Sequence, residues 1–311
     1  MTNKKNTTQK KRNNNTVISV LFLLILLLLT INPLFSSENI AIADASNEID
    51  TDFLHTHQVF FLPETWTIND AIAQHGQNIT LFYGNPTTET QLDSSSLNIS
   101  FVKMLKPDGS IENLSVQLSS ITQNNNNISI YNISFTPDEN LSGSYHIFAN
   151  VSYEINEPEA SLDNTSNTTT YQIYAYPKLI LFYNGTHGWD QQINQPVEIL
   201  SYIRPDQLFS QSLFTGKVKE NISFMKKDVF LNNTIININK YNNRFSTELK
   251  PDPNGIFSIS FPQQGTYLLS TITNTNTIKN QHHNTTIKQS SLTLSIEPHP
   301  TITQLNKNND L

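Results

Sequence analysis

From Gln58 onward no long segment of the chain places apolar residues at helical spacing. Short alternating runs rich in Ile, Thr, Tyr and Phe follow one another instead, separated by turn residues. A period of two sends successive side chains to opposite faces of a strand, and β-branched and aromatic side chains suit that pleated surface. The chain from Gln58 onward therefore reads as all-β. Lys106-Pro107-Asp108-Gly109 and Asp252-Pro253-Asn254-Gly255 are turns with a mechanism, because Pro presets φ and Gly accepts a positive φ.

One unit occurs twice. Ile128-Ser129-Ile130-Tyr131-Asn132-Ile133-Ser134-Phe135-Thr136-Pro137 leads to Gly143-Ser144-Tyr145, and Ile256-Phe257-Ser258-Ile259-Ser260-Phe261-Pro262 leads to Gly265-Thr266-Tyr267. In each, an alternating strand ends in Phe and Pro, and a turn delivers Gly-x-Tyr into the next strand. Such a Tyr can bury its ring while its hydroxyl bonds back to the backbone, as at the corners of immunoglobulin-like sandwiches. The expected architecture is two immunoglobulin-like β-sandwich domains, residues 46–176 and 177–297, with the boundary near Tyr176-Pro177. Residues 157–170 are polar, hold Pro158 and lack apolar periodicity, which reads as an exposed loop or linker. Residues 171–183 read as one long strand, and 298–311 as a disordered tail.

Lys4, Lys5, Lys10, Lys11 and Arg12 precede an apolar run over residues 17–31 that only Ser19 and Thr30 interrupt, the charged-then-apolar order of an export signal. Ala41, Ala43 and Ala45 supply small residues for cleavage. Carried on through Leu34 and Phe35, the run approaches the roughly 20 residues that span a bilayer, so residues 1–45 are a signal peptide or a signal anchor. Either way the remainder is extracytoplasmic, secreted or membrane-anchored. Removing that segment takes away five basic and two acidic side chains and moves the formal charge from −7 to −10. An acidic chain of this kind has no basic face for nucleic acid. Asn-x-Ser/Thr triplets at Asn78, Asn98, Asn113, Asn132, Asn150, Asn184 and Asn221 are glycan acceptors where the host has the machinery.

The chain has no cysteine, which excludes a disulfide framework, thiolate metal sites and a cysteine nucleophile. It holds no Gly-x-Gly-x-x-Gly cradle, no Walker phosphate loop, no Gly-x-Ser-x-Gly elbow and no His-Glu-x-x-His helix. The expectation is a non-catalytic protein. A transition-metal site here has to use imidazole and carboxylate, donors suited to nickel, cobalt, copper and zinc. His55 and His57 stand at i and i+2, on one face of a strand, with Asp50 and Asp52 nearby in sequence. His187, in the turn Tyr183-Asn184-Gly185-Thr186-His187-Gly188-Trp189-Asp190, is a weaker addition near the junction of the halves. His146 follows the inward Tyr145 and is expected to point outward. His282 and His283 diverge as neighbours on an extended chain, His75 belongs to a turn, and His299 lies between two prolines.

His55-Thr56-His57-Gln58-Val59-Phe60-Phe61-Leu62-Pro63, then His75-Gly76, then Asn78-Ile79-Thr80-Leu81-Phe82-Tyr83 ending in Gly84-Asn85-Pro86, resemble the exported domain-of-unknown-function family formerly catalogued as NikM, the periplasmic component of cobalt and nickel uptake. The second half resembles it in Asn194-Gln195-Pro196-Val197-Glu198-Ile199 before Arg204-Pro205, and in Phe214-Thr215-Gly216-Lys217-Val218. Coverage runs from about His55 to Thr271. Where the family has Gly-His-Pro-Phe-Glu, this chain has Asn85 and then Thr87-Thr88-Glu89, and the family's Gly-Lys-Pro turn becomes Lys226-Lys227-Asp228. The resemblance implies an extracytoplasmic metal-binding accessory component of nickel or cobalt uptake, partnered by a membrane permease module. The alternative is a glycosylated cell-surface structural or adhesion protein.

Overall fold

The computed structural model describes residues 54, 57–69, 74–88, 90–123, 126–158, 168–222, 227–231, 234–279 and 282–299. In chain order the strands are β1 (Gln58–Pro63), β2 (Thr67–Ile68), β3 (Gln77–Asn85), β4 (Thr90–Gln91), β5 (Asn98–Leu105) and β6 (Ile111–Asn113). Next come β7 (Ser115–Gln123), β8 (Asn126–Phe135), β9 (Gly143–Pro158), β10 (Thr168–Tyr183), β11 (Val197–Ser201) and β12 (Leu213–Ile222). The last are β13 (Lys227–Phe230), β14 (Ile236–Lys240), β15 (Ser246–Leu249), β16 (Ile256–Ser260), β17 (Gly265–Lys279) and β18 (His282–Ile296). The protein is all-β, its sheets stacked in a sandwich-like arrangement.

A nine-stranded sheet, ordered β15-β14-β17-β18-β10-β9-β5-β6 with β2 added beside β10, forms the central layer. A five-stranded sheet (β1-β3-β8-β7, with β4 on β3) and a four-stranded sheet (β11-β12-β13, with β16 on β12) accompany it. The β10–β18 and β10–β2 pairs are parallel. Alternation along β10 and β18 sends Ile180, Phe182, Leu292, Leu294 and Ile296 into a core with Val197, Phe214 and Val218 of the four-stranded sheet. The intervening Leu179 and Leu181 are just as deeply buried on the opposite face, where β1 lies against β10 and β18.

That double coverage corrects one expectation. Over Ser144–Ala149 every side chain of β9 is buried, so His146, expected at the surface, is fully enclosed. Its direction follows the alternation, but the face it points to carries another layer, as in sheets covered on both sides. The free edge of β1 is closed in a related way. The Val59 N–H donates to Gln289 Oε1 at 3.3 Å, and Ser291 Oγ donates to the Val59 carbonyl at 2.8 Å.

The repeated corners form as the pattern requires. Tyr145 and Tyr267 are fully buried. The Tyr145 hydroxyl donates to the Leu141 carbonyl at 2.8 Å, and that of Tyr267 donates to the Gln263 carbonyl at 3.0 Å. Each lies two residues after a glycine with φ of 135°, a conformation that side chains with a Cβ avoid. Tyr267→Phe removes one buried donor and leaves a carbonyl short of a partner. The expected cost is about 1 kcal/mol, read as a lower urea midpoint at unchanged m-value; an unchanged midpoint counts against the corner as a stabilising device.

At the two flanks of residues 157–170, expected as an exposed loop or linker, the chain is paired as strand. β9 runs through Pro158, β10 begins at Thr168, and Thr168 pairs with Pro158; residues 159–167 lie outside the described residues. β10 passes straight through Tyr176-Pro177, and Thr51–Leu311 clusters as one unit. Residues 1–45 and the tail from residue 300 also lie outside the described residues. Among the described residues, no helix is long and apolar enough to cross a membrane.

Candidate functional site

His57 immediately precedes β1, the edge strand of the five-stranded sheet. Its N–H donates to the Leu54 carbonyl at 3.2 Å, and the Tyr153 hydroxyl donates to the His57 carbonyl at 2.6 Å. The imidazole is half-buried and lies 6.1 Å from the Tyr83 ring, which in turn stands edge-on to Tyr153 at 5.0 Å. Burial pushes the Tyr83 phenol up to about 12, and burial followed by the neighbouring Tyr83 raises Tyr153 well above its ordinary value. Both phenols keep their protons at neutral pH, and that of Tyr153, donated to the His57 carbonyl, fixes the backbone there. His55, Asp50 and Asp52 lie outside the described residues. Among the described residues, no three His, Asp or Glu side chains gather where they could hold a metal ion.

The loop after β3, where the resembled family carries a histidine, spends its side chains on itself. Asn85 Oδ1 accepts from the Thr87 N–H at 2.9 Å and from Thr87 Oγ1 at 2.8 Å, an Asx turn.

His187 is exposed, in the turn after β10. Its carbonyl accepts from the Ser144 N–H at 3.0 Å and from Ser144 Oγ at 3.1 Å. Its ring covers Gly143 so closely that a Cβ there would stand 2.7 Å from Cε1. Trp189 packs against the core that β10 and β18 share with the four-stranded sheet and is not a free-standing aromatic. His187 sits against Gly143 and His57 against Tyr153, at opposite ends of a β9 span of about 33 Å at the usual strand rise. The structure therefore does not bring the two imidazoles together.

What it does bring together is a buried charged cluster that sequence reasoning missed. Lys178 on β10, Glu198 on β11 and Lys219 on β12 are 3%, 0% and 2% exposed. Lys178 Nζ donates to Glu198 Oε1 at 2.9 Å and to the Ile199 carbonyl at 3.2 Å. The N–H groups of Ile193 and Asn194 donate to the two carboxylate oxygens at 3.2 and 3.1 Å. Lys219 Nζ lies 3.9 Å from Glu198 Oε2 and donates to Gln192 Oε1 and Asn194 Oδ1 at 2.8 and 3.2 Å. Burial pushes the Glu198 carboxyl up, but Lys178, the Ile193 N–H and Lys219 outweigh it and hold the group below its ordinary value. The three charged groups hold one another and the loop before β11, so the cluster clamps residues 192–198 onto Lys178 of the central sheet and Lys219 of β12.

His146 borders this cluster. Its Nε2 lies 2.8 Å from the Gly188 carbonyl, which can only accept, so Nε2 carries the proton and Nδ1 does not. Nδ1 is buried with no hydrogen-bond partner among the described residues. Burial, then Lys178, drives the imidazole down to about 4. A signal for the cluster was present: Lys178 and Glu198 are lone opposite charges inside two otherwise apolar runs.

A cleft of about 370 Å³ is lined in part by His75, Asn78, Met104, Glu112, Asn113 and Ser134. Its carboxylate is engaged, since Lys106 Nζ lies 2.6 Å from Glu112 Oε2.

The segments that carried the family resemblance have structural duties here. Residues 194–199 supply the clamp, Arg204 binds Asp206 at 2.7 Å ahead of the turn Pro205–Gln207, and the Phe257 ring lies over Gly216, leaving no room for a Cβ. No curated protein matches the sequence. Among solved structures, trypsin-activated alpha-2-macroglobulin from Escherichia coli is similar over 79% of this chain and 16% of its own, at 12% identity and a TM-score of 0.18. A family model described as a domain of unknown function, DUF4198, matches residues 54–275. With more than two thirds of its length covered by that match, the chain belongs to the DUF4198 family.

Proposed function

We propose that this protein is an extracytoplasmic, non-catalytic accessory module that captures a divalent transition metal, nickel or cobalt, for a membrane permease. His55 and His57 are the donors, at the entrance to β1, with residues 1–45 exporting or anchoring the chain. The observation that supports this most is the fixed backbone of His57. Hydrogen bonds to its N–H and carbonyl set where the chain emerges, while the imidazole keeps solvent access. A tethered donor of that kind loses less freedom on binding than one on a loose terminus, and imidazole suits both metals. The resemblance of residues 55–63 and 77–86 to the nickel and cobalt uptake family points the same way.

Calorimetric titration of the chain with nickel and cobalt tests it. Saturable heat is expected, abolished in the His55→Ala/His57→Ala variant and retained in His187→Ala. Equal heats in the double variant and the parent would remove the site. A glycosylated surface role is the alternative, supported by the exposure of Asn78, Asn98, Asn113 and Asn184, each heading an Asn-x-Ser/Thr triplet. It requires no metal heat in any variant.

A further inference from the structure

The outer strand of the five-stranded sheet, β7, is paired on one side only, with β8 over Ser115–Gln123. Antiparallel pairing engages the backbone groups of alternate residues, and the others point outward. Among the described residues, no backbone group beyond β8 takes up those of residues 116–121.

Edges of this length are normally guarded by charge, proline, shortness or a covering element. β7 has none of the first three: its nine residues, Ser-Val-Gln-Leu-Ser-Ser-Ile-Thr-Gln, include no charged residue and no proline. Other edges of the protein are treated differently. β15 and β13 are four residues long and carry charge, β6 is three residues with Glu112, and β1 is sealed by Gln289 and Ser291.

Nor is β7 covered. Leu81, Tyr131 and Leu118 stand opposite one another in the sheet register and so share a face. Along that row Leu81 is 0% exposed, Tyr131 is half-buried and Leu118 is 57% exposed. The sheet extends beyond the layer packed on it, and its apolar row ends in solvent at the unguarded edge.

We propose that a second copy of this chain docks here, the two β7 strands pairing antiparallel across a two-fold axis at Leu118. That register sets Leu118 against Leu118 and Val116 against Ser120 of the other copy. It places no charge against a like charge, although the chain as a whole carries −7. The two five-stranded sheets become one continuous sheet, whose main-chain hydrogen bonds supply the affinity. An isologous contact uses up the edge on both copies, so assembly stops at the dimer.

The absence of cysteine makes a direct test available with the full chain in detergent micelles. Facing side chains on paired strands have Cβ atoms about 4.5–5.5 Å apart, close to disulfide reach. Under a mild oxidant, the Leu118→Cys chain is expected to form a disulfide-linked dimer, and Leu213→Cys, at a site 60% exposed on β12, is not. Light scattering on the parent should give a dimer, and Leu118→Lys a monomer with the parent's circular dichroism spectrum and melting temperature. If Leu118→Lys fails to fold, the cross-linking comparison decides alone. A monomeric parent at every concentration, equal cross-linking at Leu118→Cys and Leu213→Cys, or a folded Leu118→Lys that stays dimeric would each overturn the proposal.

Discussion

Replacing Glu198 with Ala is expected to cost about 3–5 kcal/mol of stability, because removing one partner of a buried ion pair leaves uncompensated charge in a low-dielectric interior. The carboxylate holds four groups at once: Lys178, the Ile193 and Asn194 N–H groups, and Lys219 at longer range. Its loss strands the Lys178 ammonium, whose remaining acceptor is the Ile199 carbonyl, and leaves the Ile193 and Asn194 N–H groups without their acceptor. Lys219 keeps Gln192 and Asn194 as acceptors, so the effect falls mainly on Lys178. Urea unfolding measures it. Adding Lys178→Met to Glu198→Ala should restore part of the loss, since a buried charge is worse than an apolar side chain of similar volume. A loss under about 1 kcal/mol for Glu198→Ala would place the pair in the range of solvent-screened surface pairs.

Acidification from pH 7 to 4 is expected to destabilise the fold by about 3 kcal/mol through His146 alone, the free-energy equivalent of its displacement from 6.5 to about 4. The folded protein keeps this imidazole neutral, so between those values the unfolded chain binds more protons and stability falls with falling pH. The stabilisation is complete above 6.5 and disappears on the way down to about 4. A second proton would have to enter at Nδ1, which has no described acceptor, and the resulting charge would be repelled by the nearby Lys178 ammonium. Glu198, the nearby carboxylate, offsets this only in part. Glu198 adds its own dependence at lower pH: its folded carboxyl sits below the ordinary 4.5, so its contribution is present above that value and is lost as pH falls through the folded one. In His146→Gln, which retains a donor for the Gly188 carbonyl, the loss between pH 6.5 and 4.5 should flatten. A slope identical to the parent's would assign the acid sensitivity elsewhere.

Much of the fold was legible because its determinants are local. Pro107 and Gly109 announce the turn between β5 and β6, and the Gly109 N–H bonds to the Lys106 carbonyl at 2.9 Å. Gly143 with Tyr145, and Gly265 with Tyr267, announce both tyrosine corners, whose bonds close within four residues. The expected strand over residues 171–183 became β10 with three residues added at its start. The strand pairing of residues 157–158 with 168–169 was not legible because two polar strand ends that pair with each other carry no apolar alternation; each has the other as partner and not a core.

The candidate site was legible in part only. The start of β1 at Gln58 and the solvent access of His57 follow from its place just before an apolar strand. The burial of His146, the distance between His57 and His187, and the clamp of Lys178, Glu198 and Lys219 do not. They depend on which sheet lies over which, and residues 20 to 41 positions apart in sequence meet only once three strands are stacked.

By itself, then, the sequence determined an all-β chain, its main turns and its two repeated corners, since backbone dihedral preference and side-chain alternation act over a few residues. The tertiary structure decided that the central sheet is covered on both faces, that lone charges in apolar strands meet as a clamp, and that β7 is left as an open edge. Those outcomes follow from how far one layer extends over another, which depends on long-range packing and not on any local preference.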